Sequence, residues 1–113
     1  MSIKSCFINN PDVLEAMELL NEFHVMLNCH PLRPTIKIKV YEFIPAARVP
    51  YRIVFSHLIH TPVQNEPTVP SMSAAIVESE IGNYLALIKG FMSESIAGGA
   101  EPSKSWLIPN PNY

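Results

Sequence analysis

The chain has 113 residues, of which 48% are hydrophobic and 16% are charged, and its net charge is −2. This length provides for one hydrophobic core, so a single domain is predicted. The slight negative charge argues against general nucleic-acid binding, which depends on a surplus of positive charge. Two cysteines are too few for a disulfide framework, and the first residues lack a signal-peptide pattern, so a reduced, cytoplasmic protein is predicted. Charged residues interrupt every long apolar stretch, so no membrane span is predicted.

The first predicted element is a helix over residues 11–28. Asn10 and Pro11 have the chemistry of a helix start, because an amide side chain caps the first turn and proline suits its first position. At 100° per residue, one face collects apolar side chains: Val13, Ala16, Met17, Leu20, Phe23 and Leu27. The opposite face collects glutamates: Glu15, Glu18 and Glu22. Residues 11–28 are therefore predicted to form an amphipathic helix. A short extra strand over residues 3–8 is an alternative interpretation of the segment before this helix.

An antiparallel hairpin is predicted from residues 35–44 and 51–60. Apolar and polar residues alternate in the first segment, and both segments are rich in β-branched and aromatic side chains. One face of this hairpin is predicted to enter the core, namely Ile36, Ile38, Val40, Ile53, Phe55 and Ile59.

A second helix is predicted over residues 73–97, with Ser73 as its cap and Gly98 and Gly99 as its stop. An alternative reading makes residues 74–78 a strand. The predicted fold is therefore α+β and two-layered, in the order α-β-β-α, with a central hairpin packed on two helices. Residues 1–99 form the predicted domain, and residues 100–113 form an extended, proline-rich tail.

Two features predict a contact with a partner. Small residues recur every four positions along the second helix, at Gly82, Ala86 and Gly90, and such a stripe allows another backbone to come close. The stripe is equally compatible with an ordinary exposed helix face. The tail carries an apolar triplet that needs cover from its own chain or from a partner: Trp106, Leu107 and Ile108.

The hairpin also concentrates positive charge, and its basic and aromatic side chains predict an anion or nucleic-acid site: Lys37, Lys39, Tyr41 and Arg52. The alternative is a solvated strand face whose lysines discourage edge pairing. The low number of basic residues favours this alternative, and nucleic acid is not predicted as the main partner.

Histidines give a third, weaker pattern. A pocket between sheet and helices, lined by His24, His57 and Tyr84, is the alternative site for a small molecule. His57 and His60 are three residues apart on a strand and face opposite sides, so they do not share a metal. No catalytic residue, no metal site and no cofactor are predicted.

A hairpin with open edges and a half-apolar second face is incomplete as a monomer. We therefore predict a small non-enzymatic protein that acts through self-association, as a homodimer, and through contacts with a protein partner. Its role would be that of an adaptor, an assembly chaperone or a regulator. The alternatives are a small-molecule-binding protein or enzyme with the His/Tyr-lined pocket, and nucleic-acid binding through the basic hairpin.

Overall fold

A computed structural model describes residues 3–113 of the chain and confirms the predicted α+β class. One long helix accompanies a mostly antiparallel sheet within that range. The elements in chain order are β1 (Met17–Met26), β2 (Thr35–Phe43), β3 (Tyr51–Phe55), β4 (His57–Ile59), β5 (Ser73–Ala74), α1 (Val77–Ala97) and β6 (Leu107–Pro109). Single 3-10 turns occupy Ile3–Cys6 and Lys104–Trp106.

The sheet has four antiparallel strands in the order β1-β2-β3-β5. The predicted second hairpin strand is divided at Ser56, where the chain leaves this sheet. Ser56 donates its backbone N–H to the carbonyl of Lys37 at 2.8 Å, and its Oγ accepts the N–H of Lys37 at 2.7 Å. The Oγ of Ser56 thus accepts a hydrogen bond that a backbone carbonyl would accept in a regular strand pair. Strand β4 leaves the sheet at this point and pairs with β6 in a separate two-stranded sheet.

The helix predicted over residues 11–28 is wrong, since most of that segment is strand β1. Asn10 does accept from the backbone with its side chain, but the donor is the N–H of Asp12 at 2.9 Å within a turn. A β-bulge shifts the register between Leu19 and Asn21. The bulge changes the phase of the side-chain alternation, so the apolar residues fall at spacings of three and four that imitate a helix face. In the predicted order α-β-β-α, the first element is therefore a strand of the sheet and not a helix.

The second predicted helix is confirmed over Val77–Ala97. Its first predicted residues, Ser73 and Ala74, form strand β5 and pair with Arg52 and Tyr51 of β3. The alternative strand at 74–78 therefore holds only at its first residue. The strand proposed for residues 3–8 is wrong, because Ile3–Cys6 is a 3-10 turn. Gly99 lies just beyond the helix with φ +98°, a conformation that favours glycine and explains why the helix stops here.

Helix α1 is fixed to the sheet through Tyr84, which is 2% exposed. The ring of Tyr84 lies 4.7 Å from the ring of Phe55, centroid to centroid. Its hydroxyl donates to the carbonyl of Thr68 at 2.7 Å and accepts the N–H of Ile59 at 3.0 Å. The helix thus packs against β3, and the core positions predicted from the hairpin are buried: Ile36, Ile38, Val40, Ile53, Phe55 and Ile59.

The segment predicted as a tail after residue 99 packs on its own chain. Trp106 accepts the N–H of His60 with its carbonyl at 2.8 Å, and Leu107 pairs with Ile59 in the second sheet. The Nδ2 of Asn110 donates to the carbonyl of Phe55 at 2.8 Å. Of the two predicted kinds of cover for this triplet, the one observed is cover by its own chain: Trp106 and Leu107 are buried in the core, and Ile108 is half-buried.

The molecule is elongated, with principal extents of 58 × 24 × 23 Å and a radius of gyration of 17.0 Å. A compact chain of this length has a radius of gyration of about 13 Å. The core face of β2 is buried, but α1 sits over β3 and no second helix covers β1 among residues 3–113.

Candidate functional site

Strand β1 lies at the edge of the four-stranded sheet, and its outward side has no strand beside it among residues 3–113. Leu27, just after β1, donates its N–H to the carbonyl of Pro34 at 2.7 Å. Because hydrogen-bonding direction alternates along an antiparallel strand, Phe23 and Val25 also direct their backbone groups toward β2. Glu22 and His24 then direct theirs away from the sheet, where they are available to another strand.

The side chains of β1 are unusually exposed for such an apolar strand. Leu19, Leu20, Phe23 and Met26 have 48%, 42%, 45% and 66% of their surface exposed. Edge strands are normally protected by being short, by charge, by proline or by a bulge. β1 has ten residues and contains no proline, and its bulge lies near one end. The part of β1 after the bulge carries one acidic side chain, Glu22, and otherwise offers a regular backbone edge for strand addition.

An open groove separates β1 from helix α1, and we call it the β1–α1 groove. Its first section has a volume of about 640 Å³. Apolar side chains dominate the lining: Leu20, Phe23, Val25, Ile38, Val40, Val77 and Ile81. A second section of about 510 Å³ continues along the same helix face, and Leu27, Cys29, Leu85, Ile88 and Met92 line it. The groove exists because Tyr84 anchors the helix over β3 rather than over β1.

Cys29 lines this groove but offers no reactive thiol. The side chain is 5% exposed, and burial raises the pKa of the Cys29 thiol. A thiol is a poor nucleophile and a poor metal ligand until it loses its proton. Among residues 3–113, no three histidine, cysteine or acidic side chains come close enough together to hold a metal ion.

The small-residue stripe lies on the side of α1 that faces away from the sheet. Gly82, Ala86 and Gly90 are exposed, and a Cβ built on Gly82 or Gly90 meets no atom within 4 Å. Packing within the chain therefore does not require glycine at either position. The stripe remains a predicted contact surface, and Gly82 additionally borders the β1–α1 groove.

The basic side chains of the hairpin lie on the outer face of the sheet, opposite to α1, and two of them already have partners. The Nζ of Lys39 is 4.0 Å from the ring centroid of Tyr113. The guanidinium of Arg52 forms an ion pair with Glu15 at 3.3 Å and lies 5.8 Å from the ring of Phe43. Lys37 remains exposed, and Tyr41 is half-buried. The predicted anion or nucleic-acid site remains a prediction.

Tyr113 also links the end of the chain to strand β1. Its hydroxyl donates to Oε1 of Glu22 at 2.7 Å. This hydrogen bond lowers the pKa of the Glu22 carboxyl, with Lys39 contributing in the same direction. Burial, followed by the hydrogen bond to Glu22, raises the pKa of Tyr113 to about 12. Glu22 is therefore a carboxylate held in place at the middle of the open edge, a role that the sequence did not indicate.

The three residues of the predicted small-molecule pocket have different surroundings. The hydroxyl of Tyr84 donates one hydrogen bond and accepts another within the core, and burial raises the pKa of Tyr84. His57 makes its contact through Nδ1 with the Oγ of Ser56 at 2.8 Å. His24 lies opposite Lys37 on the neighbouring strand and borders the β1–α1 groove. No contact between the three side chains assembles a pocket.

Comparison with known proteins supplies no relative from which a function could be transferred. The chain matches no protein-family model, and neither the curated proteins nor the solved structures contain a significant match. No helix in the described part of the chain has the length and apolar character needed to cross a membrane. The open edge of β1 and the β1–α1 groove are therefore the features on which a functional argument rests.

Proposed function

We propose that the protein acts without catalysis, as a homodimer that forms through the open edge of β1 and serves as an adaptor, assembly chaperone or regulator. The observation that carries the proposal is the ten-residue edge strand with unpaired outward backbone groups and exposed apolar side chains. A second copy satisfies the backbone groups and covers Leu20, Phe23 and Met26 at the same time. We also propose a cytoplasmic location; the two cysteines, Cys6 and Cys29, are both free, as is usual in a reducing compartment.

The amount of exposed surface supports this proposal. The accessible surface of the chain is 7505 Å², whereas a compact monomer of 12.6 kDa exposes about 6,200 Å². The surplus, about 1,300 Å², exceeds the roughly 800 Å² that each partner contributes to a standard interface. The chain therefore exposes enough surface for an interface of standard size, and the exposed apolar side chains of β1 contribute to it.

Sedimentation velocity of the full chain over a wide concentration range tests the proposal. We expect a species of twice the chain mass, 2 × 12.6 kDa, that dissociates only on strong dilution. The apolar and backbone contacts of this interface are weakly screened by salt, so moderate salt should leave the dimer intact. A monomer at every accessible concentration would contradict the proposed function.

A further inference from the structure

The position of the β-bulge determines which residues lie at the middle of the regular part of β1. The bulge disturbs the strand between Leu19 and Asn21, and the strand ends at Met26. The undisturbed outward edge therefore extends from Asn21 to Met26, and Phe23 and His24 are its two middle residues. Two copies that pair antiparallel around a two-fold axis beside Phe23 align residues 21–25 of each strand, and an axis beside His24 aligns residues 22–26, so length alone leaves both registers.

The backbone permits only a few registers. Glu22 and His24 direct their N–H and C=O groups outward, whereas Phe23 directs its own toward β2, as the bond from Leu27 to Pro34 establishes by alternation. An axis at Phe23 brings Glu22 opposite His24 of the second copy, and both carry outward groups, so the two residues exchange hydrogen bonds. If the second strand shifts by one residue, outward N–H and C=O groups of one copy lie opposite inward groups of the other, and hydrogen bonds are lost. The shift also turns each side chain of the second strand to the opposite face of the sheet.

Charge then decides among the registers that remain. An axis at Glu22 places two carboxylates directly opposite each other, which destabilises a strand pair. An axis at His24 places two imidazoles opposite each other and puts Glu22 opposite Met26, which offers the carboxylate no charge partner. An axis at Phe23 instead gives two Glu22–His24 pairs and one Phe23–Phe23 pair, all of them favourable cross-strand neighbours. The hydroxyl of Tyr113 donates to Oε1 of Glu22 at 2.7 Å, which holds the carboxylate in place and lowers the pKa of its carboxyl.

We propose that the second copy adds to β1 in one register, with Phe23 opposite Phe23 of the second copy and Glu22 opposite its His24. This assignment rests on the proposed function and specifies its partner surface residue by residue. The two four-stranded sheets become one sheet of eight strands, and both copies of α1 lie on the same face of it because the two-fold axis is perpendicular to the sheet. The two β1–α1 grooves then adjoin across the paired β1 strands.

Disulfide cross-linking between β1 residues of the two copies tests this register directly. The exposed Cys6 is first replaced in a Cys6→Ser background, and Cys29 stays because it is buried. Three single variants follow: Glu22→Cys, Phe23→Cys and His24→Cys. Oxidised glutathione accepts the two electrons as two thiols lose their protons and form the S–S bond, and non-reducing electrophoresis measures the cross-linked fraction.

The expected result is rapid cross-linking of Phe23→Cys alone. Directly opposite residues in a non-hydrogen-bonded pair have Cα atoms about 4.5 Å apart, within the range of a disulfide. Residue 22 of one copy and residue 22 of the other are then displaced by two positions, about 8 Å, which a disulfide does not span. The double variant Glu22→Cys/His24→Cys, in the same background, should cross-link even if Phe23→Cys proves poorly folded.

Each other result overturns the register. Preferential cross-linking of Glu22→Cys or of His24→Cys places the axis at that residue instead. Absence of cross-linking in all four variants, while sedimentation still shows a dimer, removes β1 from the interface and leaves self-association itself standing. If sedimentation velocity shows only a monomer, both the proposed register and the proposed function are contradicted.

Discussion

Replacement of Phe23 by aspartate is expected to convert the dimer into a monomer. In the proposed register the two substituted side chains face each other, so a favourable aromatic pair becomes a pair of like charges in a largely buried setting. Each copy is expected to lose about 2 kcal/mol, the size of a typical hot-spot residue, so the dissociation constant rises by about 1,000-fold. Sedimentation velocity and light scattering measure this change.

The fold of the monomer should tolerate Phe23→Asp, because 45% of the Phe23 side chain is exposed in a single copy. Thermal stability under conditions where both proteins are monomeric is expected to change by no more than about 1 kcal/mol. Val63→Asp is the matched control, since Val63 is 44% exposed but lies in the loop after β4, away from β1. A dimer that survives Phe23→Asp would contradict the role of β1.

Gly90→Asp distinguishes the two candidate surfaces in the same experiment. A Cβ at Gly90 meets no atom within 4 Å, so the substitution fits the monomer, and it introduces a charge at the small-residue stripe. If the dimer forms through β1, Gly90→Asp should remain dimeric. Loss of the dimer in Gly90→Asp, with Phe23→Asp still dimeric, would assign the interface to the helix instead.

Replacement of Trp106 by alanine is expected to have the largest effect on folding. Trp106 is 5% exposed, and truncation of a buried aromatic side chain costs about 3–5 kcal/mol because it removes apolar contacts and leaves a cavity. For a domain of this size, the loss corresponds to a decrease in Tm on the order of 15 °C. Differential scanning calorimetry measures the loss, with urea denaturation as an independent readout.

Ile108→Ala provides the control within the same segment. Ile108 pairs with Leu58 but is only half-buried, so its truncation should cost considerably less than that of Trp106. A Trp106→Ala variant that is as stable as the unsubstituted protein would mean that residues 104–109 are not part of the folded core. The tail would then be available to a partner, as the sequence alone had allowed.

The hairpin and the second helix were accessible from sequence because their patterns are local. Alternation of Ile36, Ile38 and Val40 with lysines specifies a strand with one buried face, and these three residues are 0%, 1% and 3% exposed. Helix α1 has a regular apolar face and a glycine stop, and the structure differs mainly at its first turn. Patterns that can be recognised within a single segment are well described by such rules.

Strand β1 was not accessible in the same way, because its identity depends on a distant partner. Phe23 pairs with Ile38, and Val25 pairs with Ile36, and these contacts override the helical spacing that the bulge at Leu19–Asn21 produces. The candidate site was missed for the same reason: an outward backbone edge exists only once the segment is recognised as a strand. The contact between Glu22 and Tyr113, separated by 91 residues, has no local signal at all.

Amide hydrogen exchange along β1 directly observes the backbone groups that the second copy is proposed to bind. NMR spectra recorded well above and well below the dissociation constant compare the same amides in the dimer and the monomer. We expect the N–H groups of Glu22 and His24 to exchange slowly in the concentrated sample and rapidly in the dilute one. Phe23 and Val25, whose amides face β2, should stay protected in both samples. Equal, rapid exchange of Glu22 and His24 at both concentrations, in a sample shown to be dimeric, would contradict pairing through this edge.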